Sequence, residues 1–179
     1  AMHPNGTSVR DDIYTRDILA NAYVPLKGNV YKSFIADMNE LKVRDKINDW
    51  SATPYDWRLS LDDILSHGTQ TGDNISYLTP TSTPYIEQEL RRLAESSRTG
   101  KVTIIAHSNG GLVAKSLIQK LGTTSAQLID KVIFVAVPQT GTPKAVGAIL
   151  HGFEQALPVS WFPLALSPDT ARTMARNMP

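Results

Sequence analysis

One short stretch holds the residue types for nucleophilic chemistry: Ala106-His107-Ser108-Asn109-Gly110-Gly111. It follows a β-branched run, Val102-Thr103-Ile104-Ile105-Ala106, and opens an amphipathic segment at Asn109. A serine on a sharp strand-to-helix turn has strained backbone angles, and it needs small neighbours so that the turn closes and the hydroxyl projects into solvent. Gly110 and Gly111 supply them on the helix side. Ala106 stands where the usual form of this turn, G-x-S-x-G, has its first glycine, and alanine is the next smallest side chain. The helix start directs unpaired N–H groups, that of Asn109 first, toward the oxyanion that would form as Ser108 attacked a carbonyl, and the helix dipole favours the same negative charge. A plainer reading makes Ser108 the cap of an ordinary helix in a doubly wound fold, with the glycines easing helix-to-sheet packing.

A serine hydroxyl is a poor nucleophile near neutral pH without a general base. The histidines are His3, His67, His107 and His151, and the acids after Ser108 are Asp130, Glu154 and Asp169. His107 adjoins Ser108, but on a sharp turn its ring should point away, so it is expected to pack or to bond a loop. His151 falls on a helix leading away from the strand tip, and His67 lies in a polar stretch expected to be exposed. Neither is expected to act as the base. Tyr55, Trp57 and Arg58 are candidate pocket residues, although aromatics at a strand end more often pack against the adjacent helix. Arg91-Arg92 reads as a solvated face. No His, Asp and Glu spacing suggests a metal, and no G-x-G-x-x-G or phosphate loop suggests a nucleotide, so no cofactor is expected. Asn5-Gly6-Thr7 and Asn74-Ile75-Ser76 are glycosylation acceptors only in an exported protein.

The elements that must position this turn follow from periodicity. Val30, Phe34, Ile35, Met38 and Leu41 recur at helical spacing and predict a helix over 30–43. Residues 47–52 read as a short strand ended by Pro54, and the Thr-, Ser-, Gly- and Pro-rich residues 68–84 as a surface excursion. Thr83-Pro84 predicts a hydroxyl-capped helix with Ile86, Leu90, Leu93 and Ala94 as its buried stripe and Gly100 beyond its end. Residues 102–106 and 132–137 read as strands buried on both faces, with a helix over 109–121 between them. Thr142-Pro143 starts a further helix ending near Gly152, and Ser167-Pro168 a last one reaching Met178. This alternation with short connections builds a parallel sheet covered by helices on both faces, an α/β protein.

Composition removes several classes. The 179 residues, 19.6 kDa, suit one domain. Eighteen Lys plus Arg against seventeen Asp plus Glu leave a net charge of +1, too little field to grip a nucleic acid. Zero cysteines remove disulfides, thiolate metal sites and cysteine nucleophiles, and leave the redox compartment open. No run approaches the roughly 20 apolar residues that cross a bilayer, and no signal pattern opens the chain. A soluble protein is expected, its location unread and secretion left open.

Three stretches in order resemble one family: Pro54-Tyr55-Asp56-Trp57-Arg58, the turn Ala106 to Gly111, and Pro138-Gln139-Thr140-Gly141-Thr142-Pro143. Residues 171–179 look like that family's segment entering a lid. Over roughly residues 30 to 179 the chain resembles the α/β-hydrolase superfamily, and within it the lipases and acyltransferases similar to lecithin:cholesterol acyltransferase. The resemblance implies that Ser108 is the acyl-accepting nucleophile, that the Asn109 N–H is one oxyanion donor, and that substrates are carboxylic esters, lipids among them. It divides the chain into an irregular segment (1–29), a hydrolase core (30–152) and the start of a lid or insertion (153–179).

The family order is nucleophile, acid, histidine, each after a later strand, and the stretch from Ser108 to Pro179 is short for that. A partial α/β-hydrolase fold is therefore expected, a fragment or one of two pieces, with the acid, the base and one strand supplied from elsewhere. The second oxyanion donor should come from a loop upstream of Val30, where no glycine-rich turn is found. The chain alone is expected to be inactive, and an unfilled sheet edge would favour self-association or a complementing chain. The rival is a noncatalytic scaffold or binding module that keeps the turn as architecture.

Overall fold

The computed structural model describes residues 3, 8–22, 28–152 and 167–176. The Asn5-Gly6-Thr7 sequon, Glu154 and the end of the last helix at Met178 lie outside the described residues. Two short strands, β1 (Asn21–Ala22) and β2 (Gly28–Asn29), pair antiparallel ahead of helix α1 (Lys32–Val43). The period of residues 30–43 predicted that helix, but its apolar face is not buried: Phe34 and Leu41 are exposed. Polar ties hold it instead. Lys42 and Arg92 both reach the Asp49 carboxylate, at 2.6 and 3.0 Å, and Trp50 Nε1 donates to Asn39 Oδ1 at 3.0 Å.

Residues 47–52 form no strand, contrary to expectation; they run irregularly into α2 (Leu61–Ser66). The Ser60 hydroxyl caps α2 by accepting the Asp63 N–H at 3.1 Å, and Asp62 and Asp63 sit where the helix dipole favours acids. Residues 68–84 were expected to be a surface excursion, and this too is corrected. They hold an antiparallel hairpin, β3 (His67–Thr71) and β4 (Asn74–Pro80), turning through Gly72 at φ 58°. Threonine is β-branched and fits a pleated surface as well as a turn, and alternation at Ile75 and Tyr77 puts two large side chains inward.

Helix α3 (Tyr85–Ser96) starts after Pro84 with no side-chain cap; Thr83 serves through its carbonyl, which accepts from the Gln88 amide. Tyr85, Ile86, Leu90 and Ala94 form its buried stripe. Strand β5 (Val102–His107), helix α4 (Gly110–Leu121), a single tight turn, the short α5 (Ser125–Leu128) and β6 (Ile129–Val135) complete a parallel crossover. Helices α6 (Pro143–His151) and α7 (Pro168–Arg176) then pack on each other. Pro143 stands in the first turn of α6, and Gly152 closes it in the left-handed conformation.

The parallel sheet among the described residues is thus two strands, smaller than expected. Its strands were expected to be covered on both faces, whereas Ile133, Phe134 and Val135 of β6 are exposed. An apolar run states what a strand can bury, but burial itself needs a packed layer on each side. The main core lies elsewhere: Ile64, Leu65, Ile75, Tyr77, Tyr85, Ile86 and Leu90 close on Val113 and Leu117 of α4. No helix among the described residues is long and apolar enough to cross a membrane.

Candidate active site

Ser108 lies between the end of β5 and the start of α4, and its φ is +51°. An L-residue there costs on the order of 1–2 kcal/mol and persists only where surrounding bonds enforce it. The bonds are present. Ser108 N–H donates to the Val135 carbonyl at 2.9 Å, continuing the β5–β6 ladder, and the Ser108 carbonyl accepts the Gly111 N–H at 3.0 Å. The Asn109 carbonyl accepts from Leu112 and Val113, at 3.0 and 3.3 Å, so the helix begins at once. Ser108 is half-buried, and its hydroxyl bonds none of the described residues. Asn109 is exposed at the N-cap of α4.

The two glycines differ. A Cβ on Gly111 would stand 2.2 Å from Val137 Cγ2, so the segment after β6 can pass the helix only because residue 111 has no side chain. A Cβ on Gly110 would meet only the Tyr55 hydroxyl, at 3.9 Å, an ordinary contact. The neighbouring strand end is strained as well. Val135 pairs with His107, and the residue after each, Ala136 (φ 49°) and Ser108, is left-handed.

Polar aromatics stand beside the turn. Tyr31, the N-cap of α1, places its hydroxyl 2.6 Å from His107 Nδ1, with the rings edge to face at 5.6 Å. His107 is therefore engaged with a loop residue, as expected. Burial pushes the Tyr55 phenol above its ordinary pKa, opposed by a hydrogen bond with the Asn109 side chain. Of the three aromatic-motif candidates only Tyr55 reaches the turn. Trp57 is exposed, and Arg58 forks onto Asp56 at 2.9 and 2.5 Å. Tyr31 carried no sequence signal, because a tyrosine far upstream in an irregular stretch has nothing to mark it.

The remaining titratable candidates are scattered. His67 is half-buried, not exposed as expected; its Nδ1 lies 2.9 Å from the Asp63 carbonyl, in a cleft with Arg10, Arg58 and Tyr77. His151 ends α6 and is exposed. Asp130 pairs with Lys131 at the amino end of β6, the end of the parallel pair away from Ser108. Asp169 pairs with Arg172 at 2.8 Å on α7. The described residues hold no group of three or more His, Asp or Glu that could bind a metal ion.

A left-handed serine between a parallel strand and a helix, with a glycine forced on the helix side, defines an α/β protein consistent with the α/β-hydrolase superfamily. More narrowly, the chain belongs to the lecithin:cholesterol acyltransferase family, whose model matches residues 2–178. That membership points to acyltransferase or lipase-like activity on lipids. No curated protein and no solved structure matches the chain.

Proposed function

We propose that Ser108 is the nucleophile of an acyl transfer from carboxylic esters, lipids in particular. Its oxygen attacks the ester carbonyl, the Asn109 N–H stabilises the oxyanion, and the C–O bond to the alcohol breaks as that alcohol takes up a proton. Water or a second alcohol then attacks the acyl-serine and releases the enzyme. The observation that carries this reading is the left-handed Ser108, a strained backbone holding a hydroxyl that no described residue engages.

Oγ–H must surrender its proton to a base, and none of the histidines or acids placed above bonds it. On this reading the base and its acid partner lie outside the described residues, residues 30–152 are the hydrolase core, and residues 153–179 begin a lid or insertion. The β5–β6 pair keeps unpaired strand edges among the described residues, where a further strand from a second copy or a complementing chain would add.

A fluorophosphonate probe on the full-length protein tests the proposal. The expected result is covalent labelling that maps to Ser108 and disappears in Ser108→Ala. An unlabelled full-length protein would instead mark the turn as retained architecture in a noncatalytic scaffold.

A further inference from the structure

We infer that Tyr31 is a positioning residue for Ser108, acting through its hydrogen bond to His107; the inference rests on the acyl-enzyme reading above. Ser108 is left-handed, so its direction depends on how firmly the residues on either side are held. On the far side the helix begins at once, and Gly111 is pressed against Val137. On the near side the last residue of β5 is His107, and among the described residues its ring has one hydrogen-bond partner, the Tyr31 hydroxyl at 2.6 Å. The edge-to-face ring contact at 5.6 Å fixes the same pair a second way.

Tyr31 is itself anchored. The backbone amides of Val30, Tyr31 and Lys32 all converge on the Ala20 carbonyl at 3.1–3.2 Å, so the ring is delivered from a tied-down stretch that ends as the N-cap of α1. His107 is exposed, so the pair adds little to core burial. Its consequence is local: it joins the start of α1 to the residue preceding the nucleophile. With the imidazole proton on Nε2, the phenol donates to Nδ1 and the ring cannot turn about its own χ angles without breaking that bond.

The test compares Tyr31→Phe, His107→Ala, His107→Asn and the Tyr31→Phe/His107→Ala double variant in the full-length protein. Two quantities are read: the second-order rate of fluorophosphonate labelling at Ser108, and kcat and KM on a short-chain ester. Tyr31→Phe keeps the ring and loses the hydroxyl. It should slow labelling roughly three- to tenfold, the value of one hydrogen bond, lowering kcat with KM unchanged. His107→Ala should match it. His107→Asn, which keeps a side-chain amide near the Nδ1 position, should recover most of the rate. The double variant should be no slower than either single one, because both remove the same bond. Labelling of Tyr31→Phe at the wild-type rate, or a double variant slowed by the product of the singles, would overturn the positioning role and leave the acyl-enzyme reading standing. A wild-type protein that does not label at Ser108 would overturn both. If Tyr31→Phe fails to fold, the His107→Ala and His107→Asn pair decides by the same rates.

Discussion

Around Ile64 and Ile75, which are 1% and 2% exposed, the elements α2, β3, β4 and α3 close on the inner face of α4; around Ile133 and Val146, at 46% and 58%, the outer residues of β6 and α6 meet solvent. The first region is held by apolar burial, worth about 25 cal/mol per Å² of surface removed from water. The second is held by the β5–β6 strand ladder and the packing of α6 on α7, and α1, which buries none of its residues, likewise lies outside the packed core. Ser108 lies at the boundary. Helix α4 buries Val113, Ala114 and Leu117 on the packed side, while Gly111 at its start touches Val137 beyond the strand pair. The strained turn is thus carried by a helix whose anchor lies on one side only.

That contrast can be broken or sharpened by substitution, and the largest effect is expected in the packed region. Ile75→Ala should cost about 2–5 kcal/mol in urea unfolding, whereas Ile133→Ala should cost less than about 1 kcal/mol, and equal losses would erase the distinction. At the boundary, Gly111→Ala forces Cβ into Val137 and should cost about 1–3 kcal/mol by the same measurement. Gly110→Ala, whose Cβ would meet only the Tyr55 hydroxyl at an ordinary 3.9 Å, should leave stability within about 0.5 kcal/mol. Relief of the left-handed backbone in Ser108→Gly should raise the free energy of unfolding, by up to about 1 kcal/mol, while ending probe labelling; a drop would show that the turn is not strained.

The smallest effect concerns the polar ties of α1. Hydrogen bonds from Lys42 and then Arg92 hold the Asp49 carboxyl down to about 2, below the usual value of about 3.9. A lowered folded-state pKa contributes stability that is present above about pH 4 and lost as pH falls toward 2. Amide protection in α1, with exchange corrected for its intrinsic pH dependence, should therefore fall over that window, and Asp49→Asn should flatten the dependence. Unchanged acid sensitivity in the variant would mean that α1 is held by something other than this carboxylate.

Much of the local structure was readable in advance, because local rules governed it. Helical spacing marked α1, α3 and α4, prolines marked the start of α6 and α7, and the small residues around Ser108 marked a tight turn. The errors came where composition stood in for neighbours. Threonines and serines over 68–84 looked like loop and were a hairpin, because burial in the core shared with α2 and α3 rewards Ile75 and Tyr77 whatever lies between them. At the candidate site, the placement of Ser108 on a tight turn and of Asn109 at the helix start was legible from the motif, and Tyr55 drew notice through its aromatic stretch. Tyr31 was not, since no spacing rule connects residues brought together by a fold.

What the sequence determined by itself was the order of elements and the identity of the turn: a β-branched run, a serine, two glycines and a helix can close locally in few ways. Tertiary structure alone decided that Gly111 and not Gly110 is sterically required, that β6 stays open to solvent while the hairpin is buried, and that Tyr31 meets His107. The reason is range. Backbone preference and periodicity act over a few residues, whereas close approach, burial and a side-chain bond across the chain depend on which surfaces the whole fold sets against each other.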